Sequence, residues 1–139
     1  MVSPNIIAVY YVGGLVGYLS SGNVFNCSIS GSSSFTANNY VDALVGNVYG
    51  LSEINNSYYN YDTVLVNGSQ FFGLGALEGA LFSDWLTNNK TFDFSSYFSS
   101  DGEYYTIDSI EKFKLIKNFS TSSGIKFKLT TDLDLSSDP

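Results

Sequence analysis

Over the first half of the chain, apolar residues come in short runs separated by glycine, asparagine and serine. Val12 to Val16 and Val41 to Val45 are two such runs, each containing or bordered by glycine and too short for a helix of ordinary length. Each predicts a short strand. Gly17 and Gly46 stand where the chain is expected to turn, a place where glycine carries no Cβ penalty. Gly22-Asn23, and Gly31 with Ser32, Ser33 and Ser34, mark further turns.

The pattern repeats. Gly14-Leu15-Val16-Gly17 returns 29 residues later as Ala43-Leu44-Val45-Gly46, and Asn23-Val24-Phe25-Asn26-Cys27-Ser28 returns at offset 30 as Glu53-Ile54-Asn55-Asn56-Ser57-Tyr58. The shared template is small-Leu-Val-Gly, a polar turn, then a β-branched residue, any residue, Asn and a small residue. Phe72-Gly73-Leu74-Gly75 is a degenerate third echo that breaks the spacing and ends the array. One Gly-Leu-Val-Gly is common in strands; two copies in register, each with a matching second half, are not. A unit of about 30 residues cannot bury its own apolar face and must stack on a neighbour. Stacking places Leu15 over Leu44 and Val24 over Ile54, with all four expected inside a shared core, at the inter-strand distance of about 4.8 Å. The repeat positions are therefore Gly14, Leu15, Val16, Gly17, Val24, Leu44, Val45, Gly46 and Ile54.

Val12-Gly13-Gly14-Leu15-Val16-Gly17-Tyr18, followed by Val24-Phe25-Asn26-Cys27-Ser28, resembles the GLUG repeat of bacterial and archaeal surface proteins. The second copy keeps Leu44-Val45-Gly46 and Ile54-Asn55-Asn56-Ser57-Tyr58 but has Asp42-Ala43 in place of the two glycines. The resemblance covers about residues 9–75. It implies a mainly β fold, a right-handed parallel β-helix, in large secreted adhesins, and it implies no catalytic residue.

The second half reads differently. Leu77, Leu81, Trp85 and Leu86 share one face of a helix over 76–89, weakened by Gly79 and ended by Asn88-Asn89. Trp85 reads as a core or capping side chain, with ligand stacking as the alternative. Phe92, Phe94, Tyr97 and Phe98 read as rings plugging the end of a core; the alternative is an aromatic platform for sugars. Asp101-Gly102 is a turn signal and Tyr104 to Ile107 a strand. Asp108-Ser109-Ile110-Glu111 forms a capping box with Asp108 as N-cap, and Ile110, Phe113 and Ile116 are expected to face the core. Lys126 to Thr130 alternates as a strand with one wet face, an alternation that Asp132 to Leu135 continues. This tail resembles the segment that opens a β-helix in the same surface proteins. The domain reading is thus 1–75 for the repeats, 76–105 for an aromatic-rich connecting segment, and 106–139 for a capping helix and the first strand of a following array. On that reading the chain is a fragment between two arrays.

Composition narrows the function. Against 13 acidic residues stand 6 lysines and no histidine, for a net charge of −7. That surface repels phosphate backbones, so no nucleic-acid partner is expected. Without histidine there is no Ser-His-Asp or Cys-His catalysis, and the lone Cys27 excludes an internal disulfide and a cysteine metal cluster. No apolar run approaches the roughly 18 residues of a membrane span, and a secretory leader is expected outside this segment. All six lysines lie in 90–128; residues 1–89 hold five acids and no base.

Asp132, Asp134 and Asp138 are the closest carboxylate cluster. A strand would put the first two on one face, where a Ca²⁺ is geometrically possible, but the spacing lacks the loop glycine of calcium motifs and reads as a solvated strand. A glycosidase needs two carboxylates about 5–10 Å apart in a cleft; among 13 acids some pair always qualifies. Asn26, Asn55, Asn67, Asn89 and Asn118 head Asn-x-Ser/Thr sequons, relevant where the host glycosylates secreted proteins. The expected function is a structural or adhesive segment of an extracellular or cell-surface protein, with no catalytic site, cofactor or metal. Its expected partners are neighbouring repeats of the same polypeptide, and surface glycans or other cell-surface proteins. The alternative is a carbohydrate-binding or carbohydrate-active module.

Residues 6–12, Ile6-Ile7-Ala8-Val9-Tyr10-Tyr11-Val12, carry no charge and no proline, the composition of a strand that pairs with another chain. The isolated chain is expected to be marginally stable or to self-associate through them, and light scattering at rising concentration checks this. A stable monomer at high concentration overturns it.

Overall fold

A computed structural model describes residues 4–136. The first copy of the repeat supplies β1 (Asn5–Ala8), β2 (Val16–Leu19), β3 (Gly22–Phe25) and β4 (Ser28–Ile29). The second supplies β5 (Ser33–Ala37), β6 (Val45–Val48), β7 (Ser52–Asn55) and β8 (Tyr58–Asn60). Each strand lies parallel to its counterpart, with Ile6 opposite Phe35, Val16 opposite Val45, Val24 opposite Ile54 and Ser28 opposite Tyr58. Parallel pairing needs a long connection between partners. Here that connection is the rest of the repeat, so the sequence offset is itself the register.

Two further strands extend the pairs. β9 (Val64–Val66) adds to β5, and β10 (Ala76–Leu77) adds to β8. Beyond them come α1 (Leu81–Thr87), a 3-10 turn at Phe94–Ser96, β11 (Ser99–Asp101), β12 (Tyr104–Ile107), α2 (Ile110–Leu115), a 3-10 turn at Ile116–Phe119, and β13 (Phe127–Leu129). β11 and β12 form an antiparallel hairpin turning at Gly102, where φ is +62°, and β13 pairs parallel to β12. Among the described residues no helix is long and apolar enough to cross a membrane.

The expected right-handed parallel β-helix is not the architecture observed. The strands gather into five small separate sheets of two or three strands, and one of them contains antiparallel pairing. The physical reason lies in the chain beyond the second copy. β9 runs straight into a tight turn in which Val66 and Ser69 exchange backbone hydrogen bonds. The third echo does not add a strand to β2 and β6; instead β10 joins the β4–β8 sheet. Residues 80–136 then spend most of their length in helices, turns and aromatic packing.

Other expectations shift in register. Leu15 is 37% exposed while Leu44 is fully buried, so the leucines do not stack as an interior pair. The backbones pair nonetheless, Leu15 N–H donating to the Leu44 carbonyl at 3.0 Å. Val24 is buried and Ile54 half-buried, paired as expected. Gly17 and Gly46 lie inside β2 and β6 rather than at turns, and neither adopts positive φ. The helix expected over 76–89 is shortened to α1 because Ala76 and Leu77 are taken by β10; Leu86 is exposed. The N-cap of α2 is Ser109, whose hydroxyl accepts from Lys112 N–H, while Asp108 forms an exposed ion pair with Lys112. Phe113 consequently points outward, and Leu115 with Ile116 packs inward. The strand after Lys126 ends at Leu129, so Asp132 and Asp134 do not share a strand face.

Three apolar clusters hold the chain. The first lies between the copies and centres on Phe35 and Leu44, with Val12, Val24, Ala43, Val64 and Ala76 around them. The second packs Trp85 against Tyr58, Leu77 and Leu81. The third joins Phe94, Phe98, Ile107 and Phe119, with Phe127 against them.

The leucines therefore differ in cost. Leu44→Ala is expected to lose about 2–5 kcal/mol, the range of buried truncations. Leu15→Ala, at an exposed position, is expected to lose no more than about 1 kcal/mol. Urea unfolding of both variants checks this; equal losses would contradict the inward and outward assignment.

Candidate functional site

The repeat positions are occupied by backbone packing. A Cβ on Gly14 would overlap the Ile29 side chain and lie 2.7 Å from the Phe35 ring and 2.5 Å from the Ala43 carbonyl. One on Gly46 would lie 2.5–2.7 Å from the carbonyls of Val12, Gly17 and Tyr40. These glycines are small because another chain segment sits against them, and no left-handed conformation is involved. Val16 and Val45, paired in β2 and β6, line the same contact.

The asparagines of the template do another job. Asn26 and Asn56 each adopt positive φ, 54° and 45°, at the corner before β4 and β8. Asparagine tolerates this left-handed region better than most residues. The Asn56 side chain donates to the Asn26 Oδ1 at 2.8 Å and to the Lys90 carbonyl at 2.8 Å, while its Oδ1 accepts from the Trp85 indole at 2.9 Å. Trp85 is fully buried and serves as a cap on this corner. The chemistry of a corner asparagine is present in the repeat template; the indole partner has no sequence signal.

Beside the corner, Thr121 binds Ser57 twice, its hydroxyl accepting from the Ser57 N–H at 3.2 Å and donating to the Ser57 carbonyl at 2.9 Å. The Gly75 N–H donates to Ser120, and the Glu78 N–H to Asn118. Residues 118–122 are thus hydrogen-bonded across the end of the repeat. Phe94 and Phe98 are buried among the same rings, with Phe92 and Tyr97 partly so.

Asp42 replaces the first glycine of the motif in the second copy. Burial pushes its carboxyl above the ordinary value of 3.8, against the opposing pull of backbone N–H groups of Leu44, Ala43 and Leu74. The Tyr59 hydroxyl, donating to the Phe71 carbonyl and accepting from Gly73 N–H, pins the loop that carries Leu74. Burial raises that phenol far above its usual range.

Asp84, Thr87, Asn88, Thr91, Asp93, Ser96 and Tyr97 line a shallow depression of about 380 Å³. Hydroxyls of Ser95 and Ser96 hold Asp93 below the carboxylate range, and burial with the Asp84 charge holds Tyr97 above the phenol range. Asp134 accepts from the Ser136 N–H, and Asp138 lies outside the described residues. Of the sequon asparagines, Asn118 is buried, Asn26 and Asn67 accept hydrogen bonds from Asn56 and Ala37, and Asn89 is exposed.

A different surface is more conspicuous. Tyr10, Tyr11, Tyr18 and Tyr40 are all exposed and their rings touch. They belong to the repeat half, whose sequence pattern marks strands and turns rather than an aromatic platform.

Residues 8–34 match the family described as the GLUG motif. The matched segment runs from the end of β1 into β5, and the second copy pairs with it strand by strand. The chain therefore carries a GLUG-repeat segment. No curated protein and no solved structure matches it.

This geometry has two measurable consequences. Asn56→Ala leaves the buried Trp85 indole N–H without its acceptor and forces alanine into positive φ. It is expected to cost about 1–3 kcal/mol, more than Asn26→Ala, in urea unfolding followed by Trp85 fluorescence. Asp42 favours its protonated form in the fold, so its stabilising contribution is full below 3.8 and is lost as pH rises through the raised value. Asp42→Asn should therefore gain on the wild type in melting temperature near neutral pH, with the gap narrowing on acidification. A gap independent of pH would mean that Asp42 titrates like a free carboxylate.

Proposed function

We propose that this chain is a structural and adhesive segment of a large extracellular surface protein, without catalytic activity of its own. One observation carries the reading. The GLUG-motif residues are spent on pairing one copy with the next, Val16 on Val45 and Val24 on Ile54, with Gly14 and Gly46 at the points of closest approach. A motif whose residues mostly pair with or pack on another copy builds a scaffold, and its outer side chains are left to meet a partner. The occurrence of GLUG repeats in extracellular adhesin-like proteins supports the setting. A hydroxyl- and amide-rich repeat half, with few acids and no base, suits a surface that contacts other surfaces mainly through hydrogen bonds.

Antibody raised to the chain should label intact cells of the source organism without permeabilisation; labelling only after permeabilisation overturns the reading. Polysaccharide substrates should show no turnover with the purified chain. Turnover that disappears on replacing a single carboxylate, such as Asp84→Asn or Asp93→Asn, would establish the carbohydrate-active alternative.

A further inference from the structure

Seven of the eleven tyrosines form two contrasting groups. Tyr58, Tyr59 and Tyr97 place their hydroxyls on Ser122, on Phe71 with Gly73, and on Asp84. Tyr10, Tyr11, Tyr18 and Tyr40 make no side-chain hydrogen bond to the described residues and are between 44% and 59% exposed. These four meet around Tyr11. Its ring is stacked on Tyr40 at 5.0 Å and 17°, tilted against Tyr18 at 4.9 Å, and lies 6.4 Å from Tyr10.

Backbone pairing sets the cluster. The Val12–Val41 bridge, with Val12 N–H donating to the Tyr40 carbonyl at 3.0 Å, places Tyr11 over Tyr40. A Cβ on Gly17 would lie 2.7 Å from the Tyr11 carbonyl, so its absence lets β2 bring Tyr18 alongside. Rings held by paired backbone are ordered before a ligand arrives, so binding costs little further entropy.

We propose that this tyrosine cluster is a binding site for a neutral glycan, a proposal that rests on the surface-protein reading above. Exposed aromatic patches with polar rims mark binding surfaces. Ring faces are electron-rich and favour the polarised C–H groups on the apolar face of a sugar ring. The unused phenol hydroxyls, with exposed Asn38 and Asn39 beside Tyr40, supply donors and acceptors for sugar hydroxyls. Charge decides between partners. Residues 4–41 contain no Asp, Glu, Lys or Arg, so an anionic or cationic ligand finds no counter-charge in the stretch that carries the cluster. A purely apolar partner would strip water from the phenol hydroxyls without replacing it.

Native gels containing a soluble neutral glucan, xylan, galactomannan or glycol-chitin, with alginate as the anionic counterpart, test this. At least one neutral polymer should retard the chain and alginate should not. Tyr11→Ala and Tyr40→Ala should each weaken retardation on the order of tenfold, Tyr11→Phe by less, and Tyr49→Ala, exposed outside the cluster, not at all. Thermal unfolding followed by Trp85 fluorescence identifies any variant that fails to fold; Tyr18→Ala and Tyr11→Phe then carry the comparison. Ile7→Lys, on the edge of β1 outside the ring cluster, should leave retardation intact while suppressing self-association. No retardation by any of the four neutral polymers overturns the proposal, as does retardation that survives Tyr11→Ala and Tyr40→Ala, or that Ile7→Lys abolishes. Cell-surface labelling is unaffected by any of these outcomes, so failure of the glycan site is distinguishable from failure of the surface assignment.

Discussion

The close approach of one repeat's backbone to the next is the constraint on which the rest depends. Around Gly14 the Ile29 side chain, the Phe35 ring and the Ala43 carbonyl occupy the space a Cβ would take. Around Gly46 three carbonyls do the same. Interiors are packed closely enough that one added methyl must displace something. Phe35 and Leu44 can be fully buried between short strands because the chain opposite them is thin at these places. Ala43 shows the tolerance of the arrangement. It stands where the first copy has Gly14 and is itself fully buried, and the Gly14 N–H still reaches its carbonyl at 2.9 Å.

Hydrogen bonds join the two halves, most of them between neutral groups. Asn56 ties Asn26, Lys90 and Trp85 to one corner, and Thr121 closes on Ser57 in a fully buried pair. A buried polar network of this kind is costly unless every member is satisfied, and here the contacts are reciprocal. Lys90 also crosses at this corner, its ammonium donating to the Asn26 carbonyl at 2.6 Å. Lys112, Lys126 and Lys128 pair with Asp108, Glu103 and Asp101 within the second half, and Lys117 reaches Glu78. All are solvent-exposed pairs of the sort worth about 0–1 kcal/mol. The segregation of charge along the sequence thus goes with two kinds of polar surface, hydroxyls and amides in the first half and screened ion pairs in the second.

The pairing of Val16 with Val45 and of Val24 with Ile54 was legible because a parallel register between copies equals their separation in sequence. Which side chains face inward was less so. Leu15 and Leu44 occupy equivalent template positions but differ in exposure, because Leu44 has Gly75 and the second copy's own strands around it while Leu15 has neighbours on fewer sides. The continued β-helix was an extrapolation from two copies. Nothing local in Phe72-Gly73-Leu74-Gly75 announces that Gly75 takes φ of +81° and leads β10 onto β8. The α2 cap falls on Ser109 instead of Asp108 because both residues cap helices well and Asp108 finds a cation instead. Thr121 against Ser57, 64 residues apart, carries no sequence signal of any kind.

These distinctions bear on where recognition resides in a repeat of this type. Positions that define the motif are the ones the scaffold requires, and the structure turns them inward or binds their backbone. Tyr18 comes directly after the motif's last glycine and pairs in β2–β6 with Asn47, so the repeats do not share its chemistry. Tyr11 and Tyr40 are equivalent across the copies yet lie outside the Gly-Leu-Val-Gly core, on the side where their hydroxyls meet solvent. Gly46 and Gly17 meet these tyrosines through their backbone carbonyls, so the tyrosine rings themselves lie outside the Gly14 contact and the Asn26–Asn56 corner. A chain built this way can hold its backbone constant while its outer aromatic residues vary, and that separation is why a motif so easily read says little about the surface it presents.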